Sequence, residues 1–254
     1  TRGPAPAMLA RPAPWGPCDV TPLGVDLTAA ERAAYDAEWG EFQHLMRLAR
    51  RGKNTAKGRA AVIRFRQKAG MLRVEATVDW AAAQVEAGRQ VAISCEYVDT
   101  AAAPIAQALS ERDVPVARIY GSGMFDTEAE RLRFQTGAAP VVVFTPTASL
   151  SLHAGELLPD GRHATTAPRV GLFHQPRYSG IAGKQVTGRT HRDGQRSNWH
   201  VAYAAGTVEE KVARLMVERY AAATDTVGGD TSGLSKIAAL LGCDWLPSDV
   251  LTDT

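Results

Sequence analysis

The chain has 254 residues, 45% apolar and 22% charged, the make-up of a soluble globular protein of one large domain or one domain with appendages. It holds no apolar run long enough to span a bilayer and no basic-then-apolar leader, so neither a membrane span nor a secretory signal is expected. Cys18, Cys95 and Cys243 stand far apart with no Cys-x-x-Cys, which argues against a disulfide scaffold or zinc site; it fits a reducing cytoplasm, in a bacterial or phage-infected cell.

The net charge of +2 hides a segregation. Residues 47–73 hold ten Lys/Arg and no acid: Arg47, Arg50, Arg51, Lys53, Lys57, Arg59, Arg64, Arg66, Lys68 and Arg73. A solvated helix face ordinarily mixes signs, so nucleic-acid contact is the favoured reading, with Arg51, Lys53, Lys57, Arg59, Arg64 and Arg66 as candidates. Residues 162–219 are also basic, ten Lys/Arg against four acids.

In chain order, residues 1–24 contain six of the fourteen prolines and read as an irregular arm or linker. A helical basic connector is expected over 25–87. Thr28 with Glu31 three residues later has capping-box spacing for a helix over Ala29–Arg51, and two more helices run over 58–70 and 71–87, stopping at Gly70 and Gly88. Strands then alternate with helices: strands at Gln90–Tyr97, Val114–Tyr120, Pro140–Thr145, Arg169–His174 and Asn198–Ala204; helices to about Arg112, over Asp126–Gln135, through 185–195, and from Thr207 to about Thr224. This alternation predicts an α/β fold, a mostly parallel sheet with helices on both faces, over 88–225. Residues 226–254 form a C-terminal extension with one helix, Leu234–Leu241.

Two segments carry chemistry. In Gln185-Val-Thr-Gly188-Arg189-Thr-His191-Arg192-Asp-Gly-Gln195, two arginines stand three residues apart, so on a helix they share one face and reach one polyanion. An ATPase lobe needs this to press arginines onto the γ-phosphate of a nucleotide held elsewhere. In Pro140-Val-Val-Val-Phe-Thr-Pro-Thr147-Ala-Ser149-Leu-Ser151-Leu-His153-Ala-Gly-Glu156, an apolar strand runs out into hydroxyls, a usual place for ligand contacts in parallel sheets.

No Gly-x-x-x-x-Gly-Lys-[Ser/Thr] phosphate loop is present, since Gly180-Ile-Ala-Gly-Lys184-Gln185 lacks its spacing and its hydroxyl, and no Asp-Glu pair closes an apolar strand. This chain alone is therefore not expected to hydrolyse ATP. The six histidines show no ligand spacing, so no metal site is expected; Ser151 and His153, two apart, are not expected to form a nucleophile–base pair. His174, Gln175 and Arg177, between a strand and the arginine stretch, are open to contact with nucleotide or nucleic acid.

The arginine stretch resembles motif VI of superfamily 2 helicases, and its His-Arg-x-Gly-Gln ending is most similar to Swi/Snf-type translocases and the strawberry-notch-type helicases. The Ser151-Leu-His153-Ala run resembles motif V of the latter, with Leu150 where a glycine usually stands. Ile93–Tyr97 resembles motif IV, and Gly206-Thr-Val-Glu-Glu210-Lys211 the element that follows motif VI. The resemblance covers residues 88 to about 224 and implies the second RecA-like lobe of a DNA helicase or translocase. It implies Arg189 and Arg192 as arginine fingers, Gln185 linking them to the bound strand, and Gly188, His153 and Glu156 facing nucleotide. It also implies Thr147, Ser149 and Ser151 on nucleic-acid phosphates, ATP with Mg as cofactor, and DNA and an N-terminal RecA-like lobe as partners. A non-catalytic DNA-binding module and an unrelated nucleotide-binding domain are the competing readings, opposed respectively by the intact arginine pair and by the missing Gly-rich loop.

Overall fold

The computed structural model describes residues 18–146, 150–176, 178–192, 194–222, 231–247 and 251. Six strands form one sheet: β1 (Cys18–Val25), β2 (Gln90–Ser94), β3 (Val116–Ile119), β4 (Val141–Phe144), β5 (Arg169–Phe173) and β6 (Ser197–Ala204). Their order is β1-β6-β5-β2-β4-β3, and every pairing is parallel. The helices are α1 (Ala29–Arg51), α2 (Thr55–Met71), α3 (Val74–Glu86), α4 (Ala103–Glu111, entered through a π-helical turn at Val98–Ala102), α5 (Thr127–Gln135), α6 (Gly180–Thr187), α7 (Val208–Ala222) and α8 (Thr231–Leu240). This is a RecA-like α/β fold.

Strand periodicity sorts the core into two layers. Val91, Ile93, Val141, Val143 and Val170 face α3 and α4. Ala92, Val142, Phe144, Phe173 and Trp199 face the other way and share one cluster with Tyr35 and Phe42 of α1, Phe65 of α2, Val186 of α6, Met216 of α7 and Ile237 of α8. The core therefore runs across the expected limits at 24/25, 87/88 and 225/226. The basic helices and the C-terminal helix pack into the same body as the sheet.

The irregular arm expected through residue 24 is corrected at its end. Cys18–Val25 pairs with Ser197–Ala204 along its whole length. Proline is compatible because β1 is an edge strand, where Pro22 costs no ladder bond on the solvent side. The capping box at the start of α1 forms as its spacing predicts: the Glu31 amide donates to Thr28 Oγ1 at 3.3 Å and the Thr28 amide to the Glu31 carboxylate at 2.8 Å.

The connection from β4 to β5 contains no helix among its described residues. It is a loop held on buried polar side chains. Arg131 donates to the Glu156 carboxylate at 2.9 Å, Gln135 to the His153 carbonyl at 3.2 Å, and Arg169 to the Leu152 carbonyl at 3.0 Å and to Gln135 Oε1 at 3.0 Å. Burial pushes the Arg169 guanidinium down to about 10, still charged near neutrality.

Candidate functional site

The paired-arginine stretch is not one helix, contrary to expectation. α6 ends at Thr187, and Gly188 caps it, its amide donating to the Lys184 carbonyl at 2.9 Å. Beyond that point side chains compete for the carbonyl of Thr187: the Thr190 hydroxyl donates to it at 3.1 Å and His191 Nδ1 at 2.8 Å. Arg189 and Arg192 therefore stand on a turn after the helix, and their relation is set by that turn.

The turn is joined to the β4 loop. The Leu152 amide donates to the Arg189 carbonyl at 2.8 Å, and the Arg189 guanidinium lies 5.2 Å from the Phe144 ring centre and 3.4 Å from the Pro146 carbonyl. Arg189 is buried, whereas Arg192 is half-buried and donates through Nε to the Gly188 carbonyl at 3.1 Å. Gln185 is exposed on the last turn of α6. Burial holds the pKa of His191 below the ordinary histidine range.

The other site candidates divide. Thr147 and Ser149 lie outside the described residues, as does Arg177. Ser151 is half-buried and its hydroxyl meets His153 Nδ1 at 2.8 Å, within a loop that is neither strand nor helix. Glu156 accepts from Arg131 and Gln135, and the Gly188 amide donates to the Lys184 carbonyl at the end of α6.

The basic run divides as well. Arg51, Lys53 and Lys57 are exposed, and Arg59 is half-buried. Arg64 is exposed but lies 3.6 Å from Glu38 and 3.9 Å from Glu41 of α1. Arg66 is corrected outright as a nucleic-acid contact: its side chain is 4% exposed, enclosed by Glu96, Tyr97 and Tyr178. Arg73 is fully buried and paired with Glu209 at 2.5 Å. Helix phase explains the division. Lys57, Arg64 and Lys68 fall on one stripe, while Arg66, about two and a half turns beyond Lys57, falls opposite with Val62 and Gly70.

His174 and Gln175 are likewise interior. Gly70 offers only a carbonyl to His174 Nε2, at 3.1 Å, so that nitrogen carries the proton and Nδ1 accepts from the Thr77 hydroxyl at 2.8 Å. Burial, aided by the Arg73 cation, pushes His174 down to about 3 and keeps it neutral. No group of His, Cys, Asp and Glu among the described residues is arranged to hold a metal ion, and no helix among them is long and apolar enough to cross a membrane.

No family model matches the chain, and no curated protein does. Solved structures do. The SWI2/SNF2 ATPase core domain of Sulfolobus solfataricus superposes with a TM-score of 0.59 at 17% identity, over 91% of this chain and 49% of that one. The same core in complex with dsDNA gives 0.59 at 16% identity, over 87% of this chain and 48% of that one. The C-terminal part of the Fun30 ATPase domain gives 0.57 at 14% identity, over 94% of this chain and 97% of that one. The chain thus spans about half the length of the Sulfolobus cores and nearly all of the Fun30 C-terminal part. At these identities the likeness is one of fold: this chain has the fold of the C-terminal lobe of SWI2/SNF2 ATPases.

Proposed function

We propose that this chain is the C-terminal RecA-like lobe of an ATP-dependent DNA helicase or translocase, related to Swi/Snf-type and strawberry-notch-type enzymes. Its part is to supply Arg192 to a nucleotide held by an N-terminal lobe. The observation that carries the reading is the junction of two distant segments, the Leu152 amide on the Arg189 carbonyl at 2.8 Å, which makes one surface of the β4 loop and the arginine turn. Arg189, buried against Phe144, anchors the turn. Arg192, whose only hydrogen bond among the described residues is through Nε, keeps its outer nitrogens for phosphate oxygens.

ATP with Mg is the proposed cofactor; among the described residues no group of acids clusters to hold the metal. We assign both to the phosphate loop and acids of the other lobe. When bound, ATP supplies the phosphoryl transfer to water that drives movement. Arg192 offsets negative charge growing on the γ-phosphoryl oxygens, and Gln185 connects that contact to the bound strand. Thr147, Ser149 and Ser151 are proposed to meet DNA phosphates, with Arg51, Lys53, Lys57 and Arg59 as outer contacts. Such contacts are sensitive to salt and indifferent to sequence. The dsDNA bound to one of the structural neighbours supports this choice of partner.

The test has two arms. The isolated chain is titrated with labelled duplex DNA at several salt concentrations and assayed for ATP turnover. Salt-dependent binding without turnover is expected, and robust hydrolysis by the chain alone overturns the half-site reading. In the protein joined to its ATP-binding lobe, Arg192→Ala lowers turnover by ~10³–10⁵ with ATP binding retained. DNA binding with turnover indifferent to Arg192 identifies a DNA-binding module instead.

A further inference from the structure

The segment His174–Tyr178 leads from β5 into α6 and so fixes where the arginine turn begins. The C-terminal half of α2 and the start of α3 hold it at every described residue. Arg66 donates to the Pro176 carbonyl at 2.9 Å, and its guanidinium lies over the Tyr178 ring with the centroid at 4.7 Å. Glu96 Oε2 stands 3.6 Å from the same guanidinium, and the Glu96 amide donates to Gln175 Oε1 at 3.0 Å. The Gln175 amide fills the space left by the missing side chain of Gly70: a Cβ there would stand 2.5 Å from its Nε2. His174 is pinned through its ring to Gly70 and Thr77, and its carbonyl accepts from Arg73 at 3.3 Å.

α6 itself is short, eight residues from Gly180 to Thr187. Its body is pressed against α7, where a Cβ on Gly183 would stand 2.2 Å from the Tyr220 ring. The lead-in and this contact together leave the helix little freedom to shift along its axis.

We propose that Arg66 is a positioning residue for the arginine turn: through Pro176 and Tyr178 it sets the register of α6 and hence the place of Arg192. The catalytic consequence rests on the lobe reading given above; the clamp does not. Arginine suits the position because one planar group donates to a carbonyl, stacks on a ring and faces a carboxylate at once, which a lysine ammonium does not reproduce. Because α2 also carries Lys57 about 13 Å away along the same rod, a nucleic acid on the outer bases pulls on the helix that sets the arginine.

Hydrogen exchange on the 254-residue chain tests the clamp. In Arg66→Met, the amides of Ile181–Gly188 exchange roughly ten- to a hundredfold faster, while those of β3 and α4 keep their rates. Gln175→Leu, which removes the acceptor for the Glu96 amide without touching Arg66, gives the same pattern more weakly and serves if Arg66→Met does not fold. Protection of α6 unchanged, or lost equally throughout the chain, overturns the proposal. In the protein joined to its ATP-binding lobe, Arg66→Met lowers kcat up to about a hundredfold at unchanged KM for ATP and unchanged DNA affinity; a raised KM with kcat intact overturns the positioning role. Absence of ATP turnover in the wild-type assembly overturns the lobe reading instead, and the exchange pattern still decides the clamp.

Discussion

The two ends of α2 carry the same chemistry to opposite purposes. At its start Lys57 stands in solvent; nearer its end Arg66 is enclosed, followed by Gly70, whose missing side chain admits the Gln175 amide from the segment after β5. Ten bases without an acid look in sequence like a single polyanion surface. The fold spends two of them, Arg66 and Arg73, on tying helices to the lead-in of α6 and the start of α7, and a third, Arg64, faces acids of α1. A basic run therefore has to be read through the phase of the helix that carries it before its charge is assigned to a ligand.

The sharpest way to break the comparison is to remove the buried base that stands just beyond α2, at the N-cap of α3. Arg73→Met strands the Glu209 carboxylate, 9% exposed, without its cation, and costs ~3–5 kcal/mol in denaturant unfolding. A loss below about 1 kcal/mol would contradict the interior role.

Next in size is a pH effect confined to the buried end. His174 is neutral in the fold and pushed down to about 3, so its contribution is complete above the unfolded value near 6.5 and is lost as pH falls toward about 3. Between those limits the unfolded chain binds a proton that the folded chain does not, and stability declines by up to ~1.4 kcal/mol per pH unit from this group. Unfolding midpoints of wild type and His174→Gln between pH 7 and pH 4 measure it; equal slopes in the two proteins would refute the assignment.

Glycine separates the regions more finely. Gly70→Ala meets Gln175 and loses ~1–2 kcal/mol after the gain in helix propensity. Gly40→Ala, in α1 with nothing within 4 Å, gains ~0.5–1 kcal/mol. Thermal unfolding of the pair checks both signs.

The smallest effect on stability belongs to the outer end. Lys57→Ala shifts unfolding by less than ~0.5 kcal/mol, yet lowers the slope of DNA affinity against salt by about 1 for the phosphate contact removed. An unchanged slope removes Lys57 from the proposed contact set.

Much of the fold was legible without coordinates. The capping box at Thr28, the valine run of β4 and the alternation of strand and helix each follow from local rules that the tertiary structure had no reason to override. β1 was missed because prolines outweighed an alternating pattern that only an edge position makes tolerable. The break of the arginine stretch after Thr187 was not legible, because carbonyl capture by Thr190 and His191 reads the same in sequence as a continuing helix. Burial of Arg66 was within reach, since its phase with Val62 and Gly70 is a matter of counting.

Residue type and spacing along single segments were enough for the α/β class and for the lack of a phosphate-loop pattern. The tertiary structure decided that Leu152 meets Arg189, that Glu156 is held by Arg131 and Gln135, and that Arg66 and Arg73 turn inward. Each of those outcomes depends on which distant group arrives to satisfy a buried amide, carboxylate or guanidinium. Partners separated by tens to over a hundred residues leave no mark in the local pattern of either one.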